Sequence, residues 1–187
     1  MAIMIYVDWG DRGEKAGYHI RISASKLVEQ ILKNDSELNK QKIAGPILLT
    51  FAAVLFYLVI ERNIPDFVTS GQRSIFLDSM LNNISVEFSK LWNDPAGILP
   101  AVRDEISDNM DKLSPYAKHI YTYKNKNKKG TLYWEFSKIL SGDFGVSTKA
   151  ARQARVDTIN ASLDLLGNIK YLFSDTEAVN LDLVKMA

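Results

Sequence analysis

From Pro46 to Ile60 the chain reads PILLTFAAVLFYLVI, fifteen residues in which Thr50 carries the only polar side chain. Gly45-Pro46 sets its start, and Glu61, Arg62 and Asn63 return charge and polarity at its end. A helix with no polar face has to be covered on every side, by protein or by lipid. As a helix the run is about 22 Å long, short of the roughly 30 Å of hydrocarbon in a bilayer. Lys40 and Lys42 stand before it and Glu61 and Arg62 after it. The expectation is the buried axis of a soluble bundle, with no membrane span, and the rest of the chain must supply the cover.

There is material for that cover. The 187 residues suit a single domain, and 47% of them are hydrophobic, enough for a core that needs no staple. Cysteine is absent, which excludes disulfides, thiol catalysis and cysteine-ligated zinc or iron–sulfur centres. The opening MAIMIYVDWGD lacks a basic n-region, and Ala2 to Val7 is too short for a signal h-region, so a cytoplasmic location is expected.

Before the central run, Ala2 to Val7 is apolar, and Tyr18, Ile20 and Ile22 alternate with His19, Arg21 and Ser23. Period two predicts strands, and the glycine-rich, charged WGDRGEKAG between them predicts a hairpin loop. Residues 1–24 are therefore expected to form a β-hairpin appendage, which must pack on helices or pair with a partner's edge. A helical domain is expected over 25–187.

Within it, Leu27, Val28, Ile31, Leu32 and Leu38 lie broadly on one side of a first helix. After Pro65, Leu77, Leu81, Ile84, Phe88 and Leu91 form an apolar stripe suited to packing along another helix. WNDPAGILP, residues 92–100, holds two prolines and a glycine and predicts a sub-domain break. Val102, Ile106, Met110 and Leu113 mark the next helix, and Ser114-Pro115 opens a short one. Phe136, Ile139 and Leu140 belong to a helix over Leu132 to Leu140. Ser147 can cap a long helix carrying Ile159, Leu163, Leu166, Ile169 and Phe173. Ser174 and Glu177 have capping-box spacing for a last helix with Leu181 and Val184.

Charge is distributed unevenly. Between Lys118 and Arg155 nine Lys or Arg face only Glu135 and Asp143, a local charge of +7, against a total of +1 for the whole chain. Lys124, Lys126, Lys128 and Lys129 form the loop KNKNKKG, flanked by Tyr121, Tyr123, Tyr133 and Trp134. Cations beside aromatic rings are the ingredients of a surface that holds phosphates and stacks bases. The plain alternative is a solvated loop next to core aromatics.

Inside the same block, ILSGDFGVSTKAARQARV (Ile139 to Val156) resembles a helix-turn-helix. Ile139 and Leu140 are apolar, Ser141 is small, Gly145 can make the turn, and Phe144 and Val146 flank it as core residues. Ser147 would cap the second helix, with Ala150, Ala151 and Ala154 facing inward. Thr148, Lys149, Arg152, Gln153 and Arg155 would then face phosphates and base edges. Gly142 and Asp143 shorten the first helix, and the second runs on further than a recognition helix needs. The alternative is an ordinary helical hairpin in which alanines permit close contact.

Other motifs lead nowhere. Asp8, Asp11, Glu14 and His19 offer metal-binding atom types in the hairpin loop, but their spacing matches no calcium-loop template. Gly10 to Gly17 lacks the Gly-Lys-Ser/Thr ending of a phosphate loop. Asp143-Phe144-Gly145 copies a kinase tripeptide with none of its companions. His119 stands amid cations, as a surface or interface residue. No catalytic cluster, metal site or cofactor is expected, and an enzyme using a metal on the Asp8, Asp11 and Glu14 loop is the third and weakest reading.

The sequence thus predicts a mainly α-helical single-domain bundle of about seven or eight helices around a fully apolar central helix, with a short N-terminal β-hairpin. The leading expectation is a non-enzymatic protein that binds nucleic acid through 118–155. The rival is a helical interaction module, an inhibitor, immunity protein or assembly factor, whose basic face docks an acidic protein. A homodimer would use the hairpin or the Leu77–Leu91 stripe.

Overall fold

A computed structural model describes residues 7–40, 44–120 and 129–173. Among them the chain is almost wholly helical and contains no strand. Seven α-helices follow in order: α1 (Trp9–Asn34), α2 (Ser36–Asn39), α3 (Ala44–Arg62), α4 (Ser70–Ser89), α5 (Pro95–Leu113), α6 (Leu132–Gly142) and α7 (Thr148–Ile169). A 3-10 segment, Ser114–His119, follows directly on α5.

The central run behaves as its composition dictates. Every side chain from Phe51 to Ile60 in α3 is at most 7% exposed. Helices α1, α4 and α5 pack on it, and Phe51 stacks on Phe136 of α6 with ring centroids 4.7 Å apart. Thr50, the one polar side chain of the run, donates its hydroxyl to the Pro46 carbonyl at 2.8 Å, so its burial leaves no donor unpaired. Each Leu, Ile or Phe withdrawn from water here contributes about 1.5–3 kcal/mol before entropy is counted. Among the described helices, α3 alone is long and apolar enough to cross a membrane, and 67% of that stretch, Gly45–Arg62, is buried inside the protein.

The hairpin expected over residues 1–24 is not what forms. Residues 1–6 lie outside the described part, and Trp9 onward is one helix of 26 residues. Asp8 caps it, accepting the Asp11 N–H at 3.0 Å. The buried positions are Trp9, Gly13, Ala16, Gly17, Ile20, Ala24, Leu27, Val28 and Ile31, which recur at helical spacing. Their small members hide the period in the sequence, because an eye set for large apolar residues sees only Tyr18, Ile20 and Ile22. Of these, Tyr18 is half exposed and Ile20 is buried, so the alternation is not a face. With the hairpin goes any dimer contact built on it.

Those small residues have a structural reason. A Cβ at Gly13 would stand 2.3 Å from the Phe76 carbonyl oxygen, and one at Gly17 would stand 3.0 Å from the Met80 carbonyl. Helix α4 therefore approaches α1 more closely than any side chain at those positions permits. The stripe of α4 also packs within the chain: Ile84 and Phe88 are buried, and Leu77 and Leu81 lie against the core, while Leu91 stays exposed.

The break predicted near 92–100 is shorter than expected. Asp94 accepts the Gly97 N–H at 3.1 Å, Pro95 takes the first helical position, and α5 is already running at Pro100. Proline suits a first turn, where its missing N–H has no intrahelical partner to lose. At the far end of the chain, Trp9, Phe76 and Phe173 form an aromatic cluster with centroids 5.4–6.4 Å apart. The starts of α1 and α4 and the end of α7 meet there. The capping-box helix expected after Ser174 lies outside the described residues.

Candidate nucleic-acid interface

Helices α6 and α7 form a hairpin whose turn is specified by three residues. Gly145 adopts φ +67°, a left-handed conformation that favours glycine. That lets the Val146 N–H reach back to the Leu140 carbonyl at 2.9 Å and close the end of α6. Ser147 then caps α7, its hydroxyl accepting the Ala150 N–H at 3.4 Å. Phe144 packs on Phe51, with centroids 4.8 Å apart, and Val146 is buried, so the turn is anchored to α3. Ala150, Ala151 and Ala154 are buried, and α6 extends through Gly142 rather than stopping short of it.

A second anchor comes from far away in the sequence. Asp35, between α1 and α2, accepts the Ser147 N–H on Oδ2 at 2.7 Å and the Leu38 N–H on Oδ1 at 3.1 Å. These two bonds to the ionised form, the one from Ser147 first, hold its carboxyl below the ordinary value of 3.8. The start of α7 is thus fixed to the end of α1.

The predicted contact residues divide along α7. Thr148, Lys149, Arg152 and Gln153 are exposed. Lys149 and Gln153 face α1 across a groove shared with Gln30, Lys33 and Asn34, and Gln153 donates to Asp157 at 2.9 Å. Thr148, Arg152 and Arg155 face α6 instead. Arg155 is half-buried, with its guanidinium 4.7 Å from the centre of the Trp134 ring. Its Nε is buried and finds no hydrogen-bond partner among the described residues.

Trp134, Lys138, Arg152, Arg155 and Lys129 line a groove of about 370 Å³ between the two helices. Glu135 is the one acid on its walls; it is only 8% exposed and lies 3.5 Å from the Lys138 ammonium. The mouth of the groove is therefore cationic on both walls. Lys138 belongs to the site by position, and the sequence reading left it out. Its signal was present, since Trp134 and Lys138 are four residues apart and share a face of α6.

Tyr133 does not join Trp134 at this surface. It is 1% exposed and belongs to the core, because adjacent helical residues point about 100° apart. Tyr121, Tyr123, Lys124, Lys126 and Lys128 lie outside the described residues. Lys118 and His119 are exposed at the end of the 3-10 segment.

The acids once grouped in a loop are dispersed along α1. Asp8 is the cap, Asp11 pairs with Lys15 at 2.6 Å, Glu14 is exposed, and His19 Nε2 lies 3.3 Å from the Tyr171 hydroxyl. Among the described residues no three His, Asp or Glu side chains gather in a way that could hold a metal. No protein-family model matches this chain, and comparison with curated proteins and with solved structures finds no match.

Proposed function

We propose that the α6–turn–α7 face binds nucleic acid, in a non-enzymatic role. The observation that supports this most directly is the groove in which Arg155 lies over Trp134 while Lys129, Lys138 and Arg152 stand around it. Planar groups offer stacking and the cations offer phosphate contacts, the two terms that dominate binding to nucleic acid chains. In the sequence Lys124, Lys126 and Lys128 belong to the same lysine-rich run as Lys129. Thr148, Lys149, Arg152 and Gln153, the contact residues of the helix-turn-helix reading, are exposed at the start of α7.

The test is binding of labelled single-stranded and duplex oligonucleotides, followed by fluorescence anisotropy across a salt series. A protein that neutralises several phosphates loses affinity steeply as salt rises. Absence of binding to every oligonucleotide at about 50 mM salt rejects the proposal.

A second reading, an acidic protein partner, draws on a different observation. Val156 and Leu163, one i, i+7 line on α7 beyond Arg152, are 48% and 54% exposed. Nucleic acid makes little use of such residues, whereas a protein partner would cover them. Weakened binding of a protein partner by Leu163→Asp, with nucleic acid binding absent, is the outcome that would favour it.

A further inference from the structure

The two flanks of α7 are chemically unequal, and the inequality bears on which form of nucleic acid the site takes. On the α1 side Lys149 and Lys33 share their groove with Asp157, which already holds the Gln153 amide. A carboxylate there opposes phosphate, and a glutamine tied to it is not free to read a base edge. On the α6 side Lys129, Lys138, Arg152 and Arg155 meet one nearly buried acid that already lies beside Lys138. The favourable potential therefore lies between α6 and α7, in a recess rather than along the outer line of the helix.

What fits a recess differs from what fits a protruding helix. The faces of bases in a duplex are covered by their neighbours, and only edges and phosphates are presented. The Trp134 ring, with the Arg155 guanidinium over it, lines the groove, and a planar group recognises another plane. An unpaired base can turn its face to such a platform, as bases do on aromatic rings and on guanidinium planes. The groove volume of about 370 Å³ lies within the range of small-ligand sites and suits one nucleotide. The Arg155 guanidinium lies over the ring and its Nε is buried, so part of its rotamer freedom is already lost before binding.

We infer that the groove between α6 and α7 receives an unpaired nucleotide of a single strand, with its base stacked on the Trp134–Arg155 platform and its phosphates beside Lys138 and Arg152. This deepens the nucleic-acid reading and rests on it.

Single strands of about 12 nucleotides, as DNA and as RNA, and the DNA duplex of the same sequence are the probes, at about 50 mM salt. Single strands should bind at least tenfold tighter than the duplex and should quench tryptophan emission, a signal absent from Trp134→Leu. In that variant the preference for single strands should fall to within about twofold, the loss of one stacked base being worth roughly a factor of 5 to 150. Arg155→Lys keeps the charge and removes the plane, so it should weaken single-strand binding several-fold with an unchanged salt slope. It also decides the matter should Trp134→Leu fail to fold. A duplex bound as tightly as the strands, or an Arg155→Lys protein that binds strands like the parent, overturns the inference and leaves the nucleic-acid reading standing. No binding to any of the three overturns both. A preference between the DNA and RNA strands identifies which is the natural ligand.

Discussion

The carboxylate of Asp35 and the backbone N–H of Ser147 are joined by a 2.7 Å hydrogen bond across 112 residues of sequence. Ser147 is also the residue that caps α7, so one acid at the end of α1 sets where the first turn of α7 begins. That turn carries Thr148 and Lys149, and Arg152 opens the next one. The candidate site is thus positioned from outside itself.

Replacing Asp35 by Asn keeps the shape and removes the charge from two hydrogen bonds. The expected loss is about 2 kcal/mol at pH 7, measured by urea unfolding. The sign of the pH dependence follows from the lowered carboxyl. Its contribution is complete above the ordinary value of 3.8 and fades as pH falls through the lower folded value. The parent should therefore lose stability in acid more steeply than Asp35→Asn. Parallel acid limbs would show that the bond contributes nothing.

Tyr57 gives the opposite limb. Burial in α3, assisted by the carboxylates of Glu61 and Asp78, pushes its phenol from 10 up to about 12. The neutral form is the one the fold holds, so its contribution is intact below pH 10 and declines as pH rises toward 12. Tyr57→Phe should flatten that decline relative to the parent in alkaline urea titrations. An identical decline in both proteins would place the phenol in water.

Glycine substitutions should separate close contact from helix propensity. An Ala at a helical glycine ordinarily gains up to about 1 kcal/mol. Gly167 of α7 has nothing within 4 Å of an added Cβ, and Gly167→Ala should show that gain. At Gly13 the added carbon would meet the Phe76 carbonyl at 2.3 Å, so Gly13→Ala should cost about 2 kcal/mol instead. Thermal melts of both variants test the pair, and a stabilised Gly13→Ala would mean that α1 and α4 are further apart than described.

Salt dependence should count the phosphate contacts. If Lys138 and Arg152 each hold one phosphate, Lys138→Ala and Arg152→Ala should each lower the slope of log affinity against log salt by about 0.7–0.9. Lys26, exposed on α1 away from the groove, serves as the control and should leave the slope unchanged. Equal effects at all three positions would mean that the groove holds no phosphate of its own.

How much of this was legible depends on what each residue reports alone. Helix α3 was legible because an almost unbroken apolar run has to be covered on every side, and its length and charged flanks favoured cover by protein. The α6–α7 turn was legible because Gly145 and Ser147 act locally, through a backbone angle and a cap. The last part of α1 was legible from Leu27, Val28 and Ile31, but the first part was not, since Gly13, Ala16, Gly17 and Ala24 make up much of its buried face and carry little hydropathy. Tyr133 and Trp134 could not be told apart, because which of two neighbours faces inward depends on the rotation of α6 against α3. The Asp35–Ser147 bond and the Arg155–Trp134 stack are tertiary, and no local pattern announces them.

The contact between the start of α1 and the residues just after α7 has a consequence for how the molecule is made. The Arg12 guanidinium donates to the Leu172 carbonyl, 160 residues later. At about 5–20 residues per second on a ribosome, that partner is synthesised roughly 8 to 32 s after Arg12 itself. During this interval α3, the most apolar helix, emerges before α5 and α6 exist to enclose it. The nascent chain therefore passes through a period of aggregation risk that the finished bundle does not share. A chaperone that holds apolar helices should engage this protein between the synthesis of α3 and that of α6.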